Sequence, residues 1–223
     1  MDISFKNVTK KFGIVTALKD IDLFIGGGEF VFILGSSGSG KTTLLKLIIN
    51  QIKPSSGQIS VGGSNLASAN FRQIEKIRSQ VGVIFQDYQL IFDHTVEENI
   101  SLALDIVNYS ALQVPQRIDW VLKKVGLSQR RFLFPSQLSG GELQRTALAR
   151  ALAIEPKIIL ADEPTGNLDS ENAWNLIKLL KNINDHHQAT ILITTHDKEI
   201  VSSLAKRTIT LRQGQIISDT ATI

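Results

Sequence analysis

Short apolar runs alternate along the chain with segments whose apolar residues recur at helical spacing. Runs bounded by turn residues are typical of strands, and they occur at 3–8, 21–25, 29–34, 58–61, 81–85, 157–161, 190–195, 208–211 and 215–218. Helical spacing is found at 42–50, 95–104, 118–125, 139–153, 170–184 and 200–204. Strands that alternate with helices favour a mostly parallel sheet with helices on both faces. The pattern therefore predicts an α/β protein.

The middle of the chain, from about residue 87 to 150, is predicted to be a helical insertion. Thr95 and Glu98 have the spacing of a capping box, so a helix is expected to begin there. A second helix is expected to end at Gly126, and its buried face would consist of Ile118, Val121, Leu122 and Val125. In the later helix at 170–184, the side chains expected to face the core are Trp174, Ile177 and Leu180.

A glycine-rich segment follows the strand predicted at 29–34 and matches the P-loop pattern in full: it reads Gly35-Ser36-Ser37-Gly38-Ser39-Gly40-Lys41-Thr42. The glycines let successive backbone N–H groups point at phosphate oxygens, and the following helix adds its positive end. Lys41 is expected to contact the β- and γ-phosphates of ATP, and Thr42 to bind Mg²⁺, with Thr43 beside it in the nucleotide site. The alternative is a flexible Gly/Ser turn, which the flanking strand and helix disfavour.

Two carboxylates, Asp162 and Glu163, directly follow the strand predicted at 157–161. Ligands of open α/β sheets bind at the carboxyl ends of the strands, which is where these residues fall. Asp162 is expected to hold Mg²⁺ through water, and Glu163 to orient and polarise the water that attacks the γ-phosphate. The alternative is an acidic cap for a following helix.

His196 follows the strand predicted at 190–195, at the same edge of the sheet as the P-loop. It is expected to hydrogen-bond the γ-phosphate and to hold Glu163 and the attacking water in place. The alternative is a cap for the next helix, for which Asp197 is the better residue. The other histidines, His94, His186 and His187, lie in polar surroundings and are expected at the surface.

A second candidate phosphate site is the signature segment, Leu138-Ser139-Gly140-Gly141-Glu142. Ser139 and Glu142 form a capping box at the start of a helix, and two glycines in its first turn leave backbone amides open to an external phosphate. A single ATP needs only one P-loop. We therefore expect the signature segment to act in trans. Two copies of the chain would lie head to tail, and the signature segment of each would cover the nucleotide bound by the other.

Composition narrows the classes of function. The net charge of +3, from 24 basic and 21 acidic residues, is too small to indicate a nucleic-acid partner. Without cysteine the chain has no disulfide, no Cys-ligated metal and no thiol catalysis, which suits a reducing cytoplasm. We expect no signal peptide and no membrane-spanning segment, so that any membrane contact goes through a partner.

The order of the P-loop, Phe85-Gln86, the signature segment, Asp162-Glu163, Leu168-Asp169 and His196 resembles that of an ABC ATPase over the whole chain. The resemblance implies a single domain with a P-loop NTPase fold: a core with an antiparallel β-subdomain from 1–86 and 151–223, and a helical subdomain from 87–150. It also implies that Gln86 contacts Mg²⁺ and the attacking water, that Asp169 lies at the dimer seam, and that Phe12 stacks on adenine. Family members often have Tyr at that position, and the alternative place for Phe12 is the core.

Phe85-Gln86-Asp87 and the stretch from Asp162 to Asp169 are similar to the bacterial cell-division subfamily, the FtsE proteins. This resemblance implies an ATP-dependent homodimer under a polytopic inner-membrane partner of the FtsX type, at the cytoplasmic face of the cell membrane and the division site, where it controls cell-wall hydrolases. Gln89 and Phe92 depart from the basic residue and the proline usual in the subfamily, on the surface expected to meet the partner.

Other functions stay open as alternatives. The stretch from Pro164 to Asp169 is shared with lipoprotein-release and macrolide-export ATPases, so one alternative is a conventional ABC transporter. A soluble ABC protein for DNA repair or ribosomes is disfavoured, because the chain has one P-loop and no sustained heptads. A P-loop kinase or GTPase is disfavoured by the signature segment and by the lack of an Asn-Lys-x-Asp guanine signature.

Overall fold

The computed structural model describes residues 1–220, so residues 221–223 of the predicted domain lie outside it. Its strands are β1 Ile3–Phe12, β2 Val15–Ile25, β3 Phe30–Leu34, β4 Ser56–Val61, β5 Ser64–Asn65, β6 Val81–Ile84, β7 Ile158–Asp162, β8 Thr190–Thr195, β9 Arg207–Arg212 and β10 Gln215–Asp219. Its helices are α1 Lys41–Ile48, α2 Phe71–Arg78, α3 Val96–Ile106, α4 Val114–Val125, α5 Gly140–Ala153, α6 Ser170–His187 and α7 Lys198–Leu204. Short 3₁₀ turns cover Ser128–Arg130 and Pro135–Gln137.

The central sheet has the strand order β10-β9-β3-β8-β7-β6. The strands from β9 to β6 pair in parallel, and only the edge strand β10 runs antiparallel. Both faces of this sheet are buried: along β3, Phe30 and Phe32 pack into one hydrophobic core, and Val31 and Ile33 into the other. The predicted α/β class with a mostly parallel core sheet is confirmed.

A second, antiparallel sheet has the order β2-β1-β4-β5. Its apolar face shares a core with α1 and α2 and with one face of the central sheet. The other core lies on the opposite face of the central sheet and includes α3, α4, α5 and α6. Arg117 of α4 binds the end of α5, since its Nε donates to the carbonyl of Ala153 at 2.8 Å and its Nη2 to that of Leu152 at 2.7 Å. Such bonds satisfy carbonyls that a helix end leaves unpaired.

The structure adds the short strand β5, which the sequence pattern does not predict, and departs from the pattern in three larger features. The hairpin of β1 and β2 pairs as far as Phe12 and Val15, well beyond the predicted strands at 3–8 and 21–25. The pattern misses α2, although Asn70 and Gln73 form a capping box at its start. The inward orientation expected for Trp174 is wrong. That side chain is half-buried, and the buried hydrophobic face of α6 consists of Ala173, Leu176, Ile177, Leu180 and Ile183.

Among residues 1–220, no helix is both long enough and apolar enough to cross a membrane.

Candidate active site

The candidate site lies where four neighbouring parallel strands end. The P-loop follows β3, His196 follows β8, Glu163 follows β7, and Gln86 lies just beyond β6. A cavity of about 770 Å³ opens at this edge. The predicted site residues that line it are Gly35, Ser36, Ser37, Gln86, Glu163 and His196. Parallel pairing alone gathers these residues, because the carboxyl ends of the strands meet at one edge.

The P-loop backbone requires glycine at particular positions. A Cβ at position 35 would lie 2.4 Å from Ser39 Oγ and 2.6 Å from the carbonyl oxygen of Leu211. Gly40 has a φ of 106°, and a Cβ there would lie 2.7 Å from the carbonyl oxygen of Ala17. The rim of the loop, formed by Ser36, Ser37 and Gly38, is exposed. The backbone of the loop therefore forms a cradle with an exposed rim.

Ser39 and Thr42 complete the P-loop side of the site. Ser39 is buried, and its Oγ has no hydrogen-bond partner among residues 1–220. Thr42 lies in the first turn of α1 with its residue exposed, and Thr43 beside it is half-buried. An unpaired buried hydroxyl and bare amides at a helix start fit the phosphate groups of ATP.

Lys41 is held at the centre of the site. Its residue is only 5% exposed, and Nζ donates to the carbonyl oxygens of Gly35 at 2.8 Å and Ser36 at 3.0 Å. The same Nζ forms a salt bridge of 3.0 Å with Oε1 of Glu163. The flexible ammonium group thus lies between the P-loop and the carboxylate that follows β7.

The carboxylates after β7 are fixed by the neighbouring strand. The hydroxyl of Thr194 on β8 donates to Oδ1 of Asp162 at 2.6 Å and accepts from the backbone N–H of Glu163 at 3.0 Å. Glu163 has a φ of 45°, in the left-handed region that costs a residue with a side chain about 1–3 kcal/mol. Strain of this kind is typical of residues positioned for function. No helix begins here, so the cap alternative for this pair is wrong.

The charge on Glu163 is stabilised from two sides. Its Oε2 lies 2.8 Å from Nδ1 of His196, opposite the contact with Lys41. Burial raises the pKa of the Glu163 carboxyl, but the hydrogen bonds and charges of Lys41 and His196 outweigh burial, so the pKa lies below its ordinary value. Asp197, not His196, caps α7, because its side chain accepts from the N–H groups of Glu199 and Ile200. The structure therefore leaves His196 to the site.

The donor set fits Mg²⁺. Thr42, Gln86 and Asp162 offer hydroxyl, amide and carboxylate oxygens, the ligands that a hard cation prefers. Within residues 1–220 no group of three or more His, Cys, Asp or Glu side chains gathers to hold a metal. A magnesium ion here would therefore take most of its ligands from phosphate and water, as is usual for this ion.

The signature segment lies at the start of α5. Ser139 caps the helix, Glu142 accepts from the N–H of Ser139 at 2.9 Å, and Arg130 Nε donates to Glu142 at 2.7 Å. The Arg130 guanidinium and the Ser139 N–H lower the pKa of Glu142 to about 2. Ser139 and Gly140 are exposed, and no residue of the segment lines the P-loop cavity within the described chain. The first two residues after Leu138 are therefore open to solvent, and the segment lies outside the lining of the P-loop cavity of its own chain.

Phe12 and Asp169 also lie away from the lining of the cavity. Phe12 is 49% exposed at the end of the β1–β2 hairpin, with Lys10 Nζ 4.8 Å from its ring centroid, so its alternative place in the core is wrong. Asp169 caps α6, since its Oδ1 accepts from the N–H of Asn172 at 2.8 Å. Stacking of Phe12 on adenine and the place of Asp169 at a dimer seam remain predictions.

Three residues at the site were not expected from the sequence. Thr194 orients both carboxylates, and Lys198 and Arg212 line the P-loop cavity. A polar residue inside the apolar run at 190–195 is a signal that could have identified Thr194. Lys198 lies two residues beyond His196, and Arg212 lies at the end of β9, but nothing in their local sequence indicates a site.

Comparison with known proteins identifies the family. The chain matches the family model described as ABC transporter over residues 18–166. The cell division ATP-binding protein FtsE of Streptococcus pneumoniae is 40% identical over 218 residues, which cover 97% of this chain and 94% of that protein. The methionine import ATP-binding protein MetN of Leifsonia xyli is 41% identical over 224 residues, which cover 99% of this chain and 66% of that protein.

Solved structures give the same result. The dimeric ABC transporter cassette MJ0796 is 37% identical with a TM-score of 0.91, and the match covers 99% of both chains. The post-hydrolysis state of that cassette, bound to ADP and phosphate, has a TM-score of 0.90. With the P-loop, the carboxylates and the signature segment placed as described, the chain is an ATP-binding ATPase that belongs to the ABC transporter family.

Proposed function

We propose that this ATPase is the nucleotide-hydrolysing subunit of a bacterial cell-division complex of the FtsE type. The observation that carries the proposal is near-full-length similarity to FtsE of two species: S. pneumoniae, and Bacillus subtilis, which is 40% identical over 92% of this chain. Its partner would be a polytopic inner-membrane protein of the FtsX type. Bound at the cytoplasmic face of the membrane at the division site, the pair would use ATP cycling to control cell-wall hydrolases.

The residues of one chain would prepare ATP for attack by water. The amides of the P-loop bind the phosphates, and Lys41 turns from Glu163 toward the β- and γ-phosphate oxygens. Loss of that salt bridge frees Oε1 of Glu163 to accept a proton from the attacking water, while His196 still holds Oε2. Thr42, Gln86 and Asp162 would hold Mg²⁺, which when bound neutralises charge that develops on the phosphates.

A second copy of the chain would complete the site. Ser139 and Gly140 are exposed at the start of α5, and the P-loop cavity takes no lining residue from the signature segment of its own chain. Hydrogen bonds from Ser139, Gly140 and Gly141 of one copy to the γ-phosphate held by the other would therefore close a head-to-tail dimer. The related cassette MJ0796 forms dimers, which supports this arrangement. Hydrolysis removes the shared ligand and lets the copies part.

The loop after Gln86 would transmit this change to the membrane partner. The backbone carbonyl of Gln86 accepts from Asn167 Nδ2 at 3.3 Å, and that of Tyr88 accepts from Arg150 of α5 at 3.0 Å. The loop thus bonds both the segment before α6 and the helix of the signature segment. Phe92, farther along the same loop, is 57% exposed and would contact the partner.

Purification of the tagged chain from membranes of its own host, with mass identification of the bound integral protein, tests the proposal. We expect an FtsX-type protein to co-purify, and Phe92→Asp to lose it while still binding ATP. Phe71→Asp is the matched control, since Phe71 is 74% exposed on α2. Recovery of a different permease, or equal loss in both variants, would contradict the proposal.

A second candidate is the ATPase of a conventional transporter. The similarity to MetN extends over 99% of this chain at 41% identity, which favours this candidate specifically. The same purification separates the two, because a transporter complex would move a solute or lipid across reconstituted vesicles when ATP is hydrolysed. The cell-division complex would hydrolyse ATP without such transport.

A further inference from the structure

A second cavity, of about 320 Å³, lies between α4, α5 and α6. Its charged and amide side chains are Lys123, Lys124, Gln144, Arg145, Asn172 and Asn175. No Asp or Glu among the described residues lines it. Lys124 Nζ lies 5.5 Å from the ring centroid of Trp120, outside the lining, so Lys123 and Arg145 are the cations left to the cavity. With no carboxylate in the described lining, they give it a positive potential, which attracts anions.

Two nitrogen donors at this cavity are buried without partners. Gln144 is 2% exposed, and its Nε2 has no hydrogen-bond partner among residues 1–220. The Nε of Arg145, on the next residue, is likewise buried and unpaired within the described chain. Buried polar groups are nearly always hydrogen-bonded, so two adjacent exceptions in one cavity wall call for an acceptor that the chain itself does not supply.

The surroundings indicate which acceptor fits. Gly141 in the first turn of α5 and Asn172 in the first turn of α6 both line the cavity, so two positive helix ends lie beside it. Guanidinium, ammonium and amide N–H groups together match the several oxygens of a phosphate group. Leu168, Leu176 and Leu179 form an apolar part of the wall that could accept a small substituent.

We propose that this cavity binds a phosphate group, either as free phosphate or on a small phosphomonoester. Gln144 and Arg145 would donate to the phosphate oxygens, and Lys123 would add charge. The site shares no lining residue with the P-loop cavity among those described. It does include Gly141, which the proposed dimer places at the partner's γ-phosphate, so the binding test is made with that phosphate position filled.

A phosphate bound in this cavity would restrict the side chains that cap the start of α6. Arg145 Nη1 donates to Asn172 Oδ1 at 3.2 Å, and Asn172 Nδ2 donates to Oδ2 of Asp169 at 2.6 Å. A phosphate that fixes Arg145 therefore also fixes Asp169. An effect of phosphate on dimer formation would rest on the proposed function, in which Asp169 lies at the dimer seam. Binding of phosphate to the cavity does not rest on it.

Calorimetric titration tests the binding. The P-loop is first saturated with Mg²⁺ and a non-hydrolysable ATP analogue, so that the γ-phosphate position is filled and binding of the analogue is measured independently. Inorganic phosphate and phenyl phosphate are then titrated separately. We expect one further oxyanion per chain. Tighter binding of phenyl phosphate would identify a phosphomonoester as the ligand, and equal or tighter binding of phosphate would identify the free ion.

Three variants locate the bound ion. Gln144→Leu and Arg145→Met should weaken oxyanion binding at least tenfold, and Lys178→Met, at an exposed lysine of α6 outside the lining, should not. Gln144→Leu should also melt at the same temperature as the wild type or higher, because it removes a buried amide nitrogen that has no partner among residues 1–220. No binding of either probe, or binding that Gln144→Leu and Arg145→Met leave unchanged, would overturn the proposal.

Discussion

Nζ of Lys41 and Oε1 of Glu163 lie 3.0 Å apart, with only 4% and 16% of the two side chains exposed. The contact joins the cation expected to bind phosphate and the carboxylate expected to activate water. Each neutralises the other while the γ-phosphate is absent, which lets both charges persist with little contact to solvent. We therefore expect ATP to separate the pair before hydrolysis begins.

Replacement of Lys41 tests the phosphate cradle. Lys41→Ala removes the cation and leaves Oε1 of Glu163 without its salt-bridge partner, so we expect ATP binding or hydrolysis to be abolished. Equilibrium binding of a fluorescent ATP analogue and phosphate release measure the two steps. Lys46→Ala, on the same helix, should behave as the wild type, and an unchanged ATPase rate in Lys41→Ala would refute the assigned role.

Replacement of Glu163 tests the activation of water. Glu163→Gln keeps the shape of the side chain but cannot accept the proton, so ATP should bind normally while kcat falls by about three orders of magnitude, or about 4 kcal/mol in the activation free energy. Single-turnover hydrolysis measures the chemical step alone. Glu199→Gln, at an exposed residue of α7, is the control. Normal turnover in Glu163→Gln would remove Glu163 from this role.

Thr194 is expected to position the site, and β8 provides its matched control. Thr194 and Thr190 are both 0% exposed, and each hydroxyl accepts one backbone N–H and donates one hydrogen bond. Thr194→Val and Thr190→Val should each lower the free energy of unfolding by about 1–3 kcal/mol. Only Thr194→Val should also lower kcat, because only Thr194 bonds Asp162 and Glu163. Equal kcat values in the two variants would show that Thr194 is merely structural.

The stability of the signature segment should depend on pH through Glu142. Because the Arg130 guanidinium and the Ser139 N–H hold the pKa of Glu142 near 2, below its ordinary value of 4.5, the carboxylate stabilises the fold above that ordinary value. This stabilisation is lost as the pH falls toward about 2. Urea unfolding should therefore give Glu142→Gln a free energy of unfolding about 1 kcal/mol below that of the wild type at pH 7. The difference between the two proteins should be smaller at pH 3. A difference independent of pH would contradict this account.

Sequence patterns located the site residues that lie next to strand ends, because the parallel sheet needs only local signals to gather them. Lys41, Glu163 and His196 were placed in this way. A polar residue inside the apolar run at 190–195 marks Thr194 as unusual, but its role depends on register: Asp162 pairs with Thr194 across β7 and β8, and the run alone does not encode that pairing. Trp174 was misplaced for a related reason, since the rotation of α6 is set by the core it packs on, and the smaller Ala173 takes the buried position.

The proposed head-to-tail dimer, in which each chain covers the nucleotide of the other, can be tested at two exposed serines near the start of α5. In the slow-hydrolysing Glu163→Gln background, saturating Mg²⁺ and ATP should produce dimers in sedimentation velocity. Adding Ser139→Arg should block the helix start that we expect to face the partner's γ-phosphate. Adding Ser136→Arg, at an exposed serine of the 3₁₀ turn before it, is the control.

Sedimentation with simultaneous measurement of bound ATP is therefore the most direct test of a site shared between two chains. The account predicts one ATP per chain in all three proteins, with dimers for Glu163→Gln and for its Ser136→Arg derivative, and monomers for the Ser139→Arg derivative. Dimers that persist with Ser139→Arg, or a Glu163→Gln protein that stays monomeric when saturated with ATP, would contradict it.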